Sequence, residues 1–217
     1  MLITIGAMIG AGKTSLAELV AEHFNSEVFY ESVDDNPILP LFYTASEEEI
    51  QAKRYPFLLQ LWFLNTRFKN IKEALVHDNN VLDRSIYEDW YFAKVNKELG
   101  RISELEFSLY ESLLDNMMEE LKGLPKKAPD LMIYLSGSFE TIIERIKKRG
   151  REYELDEGLV SYYYELWKGY DNWIEQHYDA SEVLVINIDE IDYVNNEEDK
   201  KKVLSMIEEK LNEIRNR

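Results

Sequence analysis

Gly6-Ala7-Met8-Ile9-Gly10-Ala11-Gly12-Lys13-Thr14 is the stretch on which the fold turns. It follows an apolar, strand-like run, Leu2-Ile3-Thr4-Ile5, and precedes Leu16, Leu19, Val20, His23 and Phe24, spaced as one face of a helix. A strand, a Gly-rich turn and a helix opening on Lys-Thr is the arrangement of a phosphate-binding P-loop. Gly10 and Gly12 let backbone N–H groups turn toward an anion with no Cβ in the way, and the helix N-terminus adds its positive end. Lys13 then reaches the β- and γ-phosphates of a nucleotide, and the Thr14 hydroxyl ligates Mg²⁺, with Ser15 beside it. The strict pattern places Gly at position 7, where this chain has Ala7 with Gly6 one residue early. Alanine serves there if the position needs no positive φ.

Outward from the loop, the 217 residues carry 25 Lys+Arg against 42 Asp+Glu, a net charge of −17. At 45% hydrophobic and 12% aromatic, the chain has the material for one sizeable core, and with only 5 Pro it does not read as disordered. Zero Cys removes disulfides, thiolate catalysis, iron–sulfur clusters and Cys-bound zinc. Three scattered histidines, His23, His77 and His177, argue against a His-built metal site. No apolar run approaches the ~18–20 residues that span a bilayer. Because the chain goes from Met1 straight into a strand, no signal peptide is expected and the expected location is cytoplasmic. A body this acidic repels nucleic-acid phosphates, so DNA and RNA are not expected partners. Phosphate binding must come from local concentrations of positive charge.

Short β-branched runs alternate with longer helical patterns, the pattern of a parallel sheet covered on both faces. Strands are predicted at Leu2–Ile5, Glu27–Tyr30, Val81–Asp83, Asp130–Leu135 and Val183–Ile188. Helices are predicted from Lys13, over Glu47–His77 as one long element, and over Ile86–Glu98, Ser103–Lys122, Ser138–Lys148, Asp156–Tyr178 and Asn196–Arg215. Gly123–Pro129 reads as a loop. No linker divides the chain, so residues 1–217 read as a single domain.

A guanine-specific GTPase would carry an Asn-Lys-x-Asp base reader, which is absent, and motors and large ATPases need far longer chains. A small P-loop domain with a second set of substrate-facing residues suggests a small-molecule kinase. Five further segments bear on the acceptor: Phe29-Tyr-Glu-Ser-Val-Asp-Asp-Asn-Pro37, Phe57-Leu-Leu-Gln60, Asn65-Thr-Arg67, Leu82-Asp-Arg-Ser-Ile-Tyr-Glu-Asp89 and Arg145-Ile-Lys-Lys-Arg-Gly-Arg151. Together with the P-loop, and in this order, they resemble the deoxynucleoside kinase family, in particular its bacterial deoxyadenosine/deoxyguanosine kinase branch. The resemblance implies an α/β P-loop kinase fold: a five-stranded parallel sheet of order 2-3-1-4-5, flanking helices and an arginine-rich lid at about 145–154. It implies transfer of the γ-phosphate of ATP, with Mg²⁺, to the 5′-hydroxyl of a purine deoxynucleoside for nucleotide salvage. Deoxyadenosine leads, with deoxyguanosine or deoxycytidine as alternatives. It also implies a homodimer, or a heterodimer with a related subunit.

Each motif has a physical reading of its own. Glu31 ends the second strand, on the carboxyl edge where open α/β sheets bind ligands, and a carboxylate there can take the proton of an attacking hydroxyl. The resemblance gives Glu31 this role. Asp83 ends the third strand, placed to hold Mg²⁺, and it is the alternative base; Arg84 lies where it can pair with Glu31 or stabilise the transferring phosphoryl group. With Lys13 these form the catalytic set. Gln60 and Arg67 lie two turns apart on one helical face. By resemblance, Gln60 reads the base edge, while Arg67 and Asp89 act as a coupled donor and acceptor; the bland alternative is a structural salt bridge. Tyr43 and Glu154 match residues that contact the sugar 3′-hydroxyl. Arg145, Lys147, Lys148, Arg149 and Arg151 are the local positive exception in an acidic protein. Arg145 and Arg149 share a face, and with Arg151 they resemble the lid over the ATP phosphates, whereas Lys147 and Lys148 are expected to face solvent. Residues Gly6 to Ser15 complete the expected ATP-binding set. Two rivals remain open: a nucleotide-regulated switch without acceptor chemistry, and a nucleoside monophosphate kinase.

Overall fold

The computed structural model describes residues 1–76, 79–121 and 128–216. Five parallel strands form one sheet: β1 (Leu2–Ala7), β2 (Glu27–Phe29), β3 (Asn80–Asp83), β4 (Leu131–Ser136) and β5 (Glu182–Asn187). Their order is β2-β3-β1-β4-β5, as the resemblance implies. Ile3 stands beside Val81 on one side and Leu131 on the other, so β1 lies at the centre and is buried along its whole length. Strands buried on both faces read as unbroken apolar runs, which is why β1 and β4 are legible from sequence.

The helices are α1 (Lys13–Phe24), α2 (Leu39–Thr44), α3 (Glu47–Lys53), α4 (Tyr55–Ala74), α5 (Ile86–Glu98), α6 (Glu104–Leu121), α7 (Phe139–Arg149), α8 (Val160–Lys168), α9 (Tyr170–His177) and α10 (Glu197–Arg215). Two predicted helices are in fact pairs. The long element read over residues 47–77 breaks at Arg54, which takes a left-handed φ of 55° between α3 and α4. Pro56 causes this, because its ring would strike the carbonyl of Ala52 in a continuous helix. The element read over 156–178 breaks at Gly169, where an added Cβ would sit 2.8 Å from the Tyr91 hydroxyl. The short α2 was not expected; Asn36 Oδ1 caps it by accepting from the N–H groups of Ile38 and Leu39. His77, Lys122 and most of the predicted 123–129 loop lie outside the described residues; Ala128 and Pro129 are in neither helix nor strand. No helix among the described residues is long and apolar enough to cross a membrane.

Candidate active site

The P-loop joins β1 to α1. Gly10 and Gly12 have φ of 82° and 102°, whereas Ala7 is an ordinary strand residue with no positive φ. This resolves the departure from the strict pattern: alanine is tolerated because the turn begins after it. Gly6 has a different reason to lack a side chain. An added Cβ there would meet the Glu88 carboxylate at 3.2 Å. Lys13 is buried at the head of α1, and desolvation together with the Arg84 charge pulls its ammonium down to about 8. The Thr14 hydroxyl donates to Asp83 Oδ2 at 2.7 Å, while Asp83 Oδ1 is buried with no hydrogen-bond partner among the described residues.

Behind the loop lies a cluster of alternating charge. Glu31 Oε1 accepts from Arg84 Nε at 2.9 Å and from Arg67 Nη2 at 3.0 Å. Burial pushes the Glu31 carboxyl up, but Arg84, Arg67 and Lys13 together outweigh it and hold it at about 2. Glu31 is therefore ionised at neutral pH. Arg67 also grips Asp89 with two parallel bonds, 3.1 and 3.2 Å, and donates to the Asp83 carbonyl at 3.1 Å. Arg84 sits at φ 82°, a left-handed conformation that costs a non-glycine residue about 1–3 kcal/mol and is found where surrounding contacts over-determine it. Here its guanidinium lies 4.6 Å from the Phe92 ring centroid.

Two cavities meet at this cluster. One, of about 1510 Å³ and open to solvent, borders the P-loop and is lined by Gly10, Gly12, Lys13, Thr14, Ser15, Asp83, Arg145, Arg149 and Arg151. The other, of about 590 Å³, has apolar walls from Leu59, Phe63, Phe92 and Tyr162, with Gln60, Asp89, Tyr43 and Glu154 as polar groups. Lys13, Glu31, Arg149 and Arg151 line both. An apolar slot with a few placed polar groups is the form of a small-molecule site.

The structure thus gathers most of the predicted residues, with instructive exceptions. Gly6 and Ala7 belong to β1, Met8 and Ala11 are buried in the core, and Ile9 borders the smaller cavity; none of them lines the P-loop cavity. Arg67 stands behind the smaller cavity without lining it, gripping Asp89, which does line it. Arg145 spends its guanidinium on the carbonyls of Ala11 and Ile188, at 2.8 and 3.1 Å, and so braces the loop. Lys147 and Lys148 are exposed, as expected, and Lys148 also borders the P-loop cavity, one turn from Arg145. Glu154 is buried and paired with Arg149 and Arg151, and the Tyr43 ring stacks on Tyr153 with centroids 5.7 Å apart. Sequence reasoning missed Glu88, Tyr170, Tyr193 and the Asp192–Asn195 wall. For Glu88 a signal existed: Ser85-x-x-Glu88 is a capping box, and both of its bonds form at the start of α5.

Residues 3–212 match the family model described as "Deoxynucleoside kinase". The chain is 48% identical over 215 residues to a deoxyguanosine kinase of Lactobacillus acidophilus, covering 98% of this chain and 91% of that one. It is 46% identical over 217 residues to a deoxyadenosine kinase of the same organism, covering 99% and 98%. A solved structure of deoxyadenosine kinase from M. mycoides with bound dCTP superposes with a TM-score of 0.79 at 31% identity, over 98% of this chain and 100% of that one. Match to the family model, identity along nearly the whole length and a shared fold agree, and the chain belongs to the deoxynucleoside kinase family.

Proposed function

We propose that this kinase transfers the γ-phosphate of ATP to the 5′-hydroxyl of a purine deoxynucleoside, with deoxyadenosine as the preferred acceptor. The observation that carries the reading is the junction of the two cavities, where Glu31, Lys13, Arg149 and Arg151 face both. Triphosphate on the P-loop side and nucleoside in the smaller, more apolar cavity bring a 5′-hydroxyl and a γ-phosphorus to the same wall. Glu31 accepts the hydroxyl proton as the 5′-oxygen bonds to phosphorus. The bond from phosphorus to the bridging oxygen breaks, and ADP leaves with the electron pair. Lys13, Arg84 and the lid arginines counter the charge on the transferring group, where positioning and electrostatics supply most of the rate.

Asp83 and Thr14 suit Mg²⁺: both offer oxygen donors, and the unpartnered Asp83 Oδ1 is a free ligand atom in a buried place. When bound, Mg²⁺ supplies neutralising charge to the phosphates. Gln60 is buried and lines the smaller cavity, and its amide carries both a donor and an acceptor suited to a base edge. Asp89, already backed by Arg67, offers an acceptor, which suits the amino group of adenine better than the carbonyl of guanine. The similarity to a deoxyguanosine kinase favours deoxyguanosine as the second reading. A monophosphate acceptor would bring a second phosphate to the junction and need further cations to hold it, whereas the cations of the smaller cavity, Lys13, Arg84, Arg149 and Arg151, are those already assigned to the transferring phosphate. We further read residues 1–217 as one cytosolic domain with a lid at 145–154. We also read it as a homodimer joined through helices, to be checked by light scattering alone and with a related subunit. The test of the function is phosphorylation of the four deoxynucleosides and their monophosphates side by side with ATP. Turnover of deoxyadenosine above the rest is expected; preference for any monophosphate refutes the reading.

A further inference from the structure

Glu88 is fully buried and lines neither cavity. Its Oε1 accepts from the Ala7 N–H at 3.0 Å, from Arg84 Nη1 at 3.2 Å and from the Tyr170 hydroxyl. Its Oε2 accepts from the Ser85 N–H at 2.7 Å. A helix-capping carboxylate needs only the last of these. The other three tie the end of β1, the residue after β3 and the start of α9 to one carboxylate, and Gly6 leaves the space it occupies. Arg84 is held from two sides: Nε by Glu31 and Nη1 by Glu88, while Nη2 makes no hydrogen bond among the described residues although Arg84 lines the nucleoside cavity.

We propose that Glu88 is a positioning residue for phosphoryl transfer. It fixes the Arg84 guanidinium so that Nη2 is presented to the transferring group, and it couples that placement to the P-loop through the Ala7 N–H. This rests on the assignment of Arg84 to the phosphoryl group. A misplacement of about 1 Å in such a group can cost about a hundredfold in rate, with substrate binding little changed.

The test is a cycle of Glu88→Gln, Arg84→Ala and the double variant, with kcat and both KM values measured per folded site and folding followed by near-UV circular dichroism. Gln keeps the shape but sets an amide nitrogen against N–H donors. Glu88→Gln should lower kcat about tenfold to a hundredfold, leave both KM values within about threefold, and change kcat by less than about twofold when Arg84 is already alanine. Losses that multiply in the double variant, or a kcat near wild type in folded Glu88→Gln, overturn the proposal. If Glu88→Gln does not fold, Glu88→Asp, which keeps the charge but draws the carboxylate back from Arg84 Nη1, is read by the same criteria. Arg84→Ala by itself tests the underlying assignment. Near-normal kcat there removes Arg84 from the chemistry, and the positioning role with it, whereas a large loss there with multiplying losses overturns Glu88 alone.

Discussion

Asp89→Asn separates base reading from structural support, because the two roles leave different marks. Arg67 is only 3% exposed and makes four hydrogen bonds, two to Asp89, one to Glu31 and one to the Asp83 carbonyl. Breaking a buried ion pair outright costs about 3–5 kcal/mol. Here Arg67 keeps Glu31 and the carbonyl, and the new amide oxygen still accepts once, so about 2 kcal/mol is expected. For a chain of this size that lowers Tm by roughly 4–8 °C. At the base, the carboxylate facing adenine's amino group becomes an amide, a loss of about 1–3 kcal/mol. Thymidine offers carbonyls there and loses nothing. The kcat/KM ratio of deoxyadenosine over thymidine should therefore fall by roughly tenfold to a hundredfold. The assay is steady-state kinetics on both nucleosides beside a thermal melt. A lowered Tm with an unchanged ratio would refute the reasoning and leave Arg67–Asp89 as a structural pair.

Glu31→Gln should lower kcat by about 10²–10⁴ while calorimetry shows nucleoside binding within a few-fold, since it removes proton acceptance but keeps size and polarity. Because Glu31 is held at about 2 against an ordinary 4.5, its contribution to stability is fully present above about 4.5 and lost as pH falls toward 2. Accordingly, kcat/KM should show no Glu31 ionisation between pH 5 and 8, and a limb in that range abolished by Glu31→Gln would contradict the structure. Arg149→Ala should depress turnover more than ATP affinity, since lid cations matter most where charge develops; an affinity loss alone would make Arg149 a ground-state clamp. Thr14→Val should raise the Mg²⁺ concentration giving half-maximal rate, read by metal titration at fixed ATP, and an unmoved midpoint would remove Thr14 from the metal site.

Much of this was legible in the sequence because local and global signals agree. The P-loop is a contiguous string whose glycines, lysine and threonine each meet a local demand, and the buried strands announce themselves as apolar runs. Legibility fails where a residue's reason lies far away in the chain. Gly6 reads as a phosphate-loop glycine, yet its neighbour in space is residue 88. Arg145 reads as a lid cation, yet it braces the Ala11 and Ile188 carbonyls. Arg67 shares a helical face with Gln60, but periodicity cannot say that its guanidinium would be drawn behind the cavity by Asp89 and Glu31. The breaks at Arg54 and Gly169 were missed because apolar periodicity continues across them; Pro56 was the available clue for the first.

The close approach of Gly6 to Glu88 also bears on how this sequence can drift. A methyl group at position 6 and a long carboxylate at position 88 compete for one space, with 3.2 Å between them. A side chain at position 6 therefore requires the carboxylate at position 88, 82 positions along the chain, to shift or to be shorter. Relatives that shorten the side chain at the second position gain room for one at the first. An alignment of relatives should therefore show the two positions exchanging volume, glycine with a glutamate and a larger residue with a serine or alanine. A pattern search that scores the loop glycines one by one will misjudge such relatives.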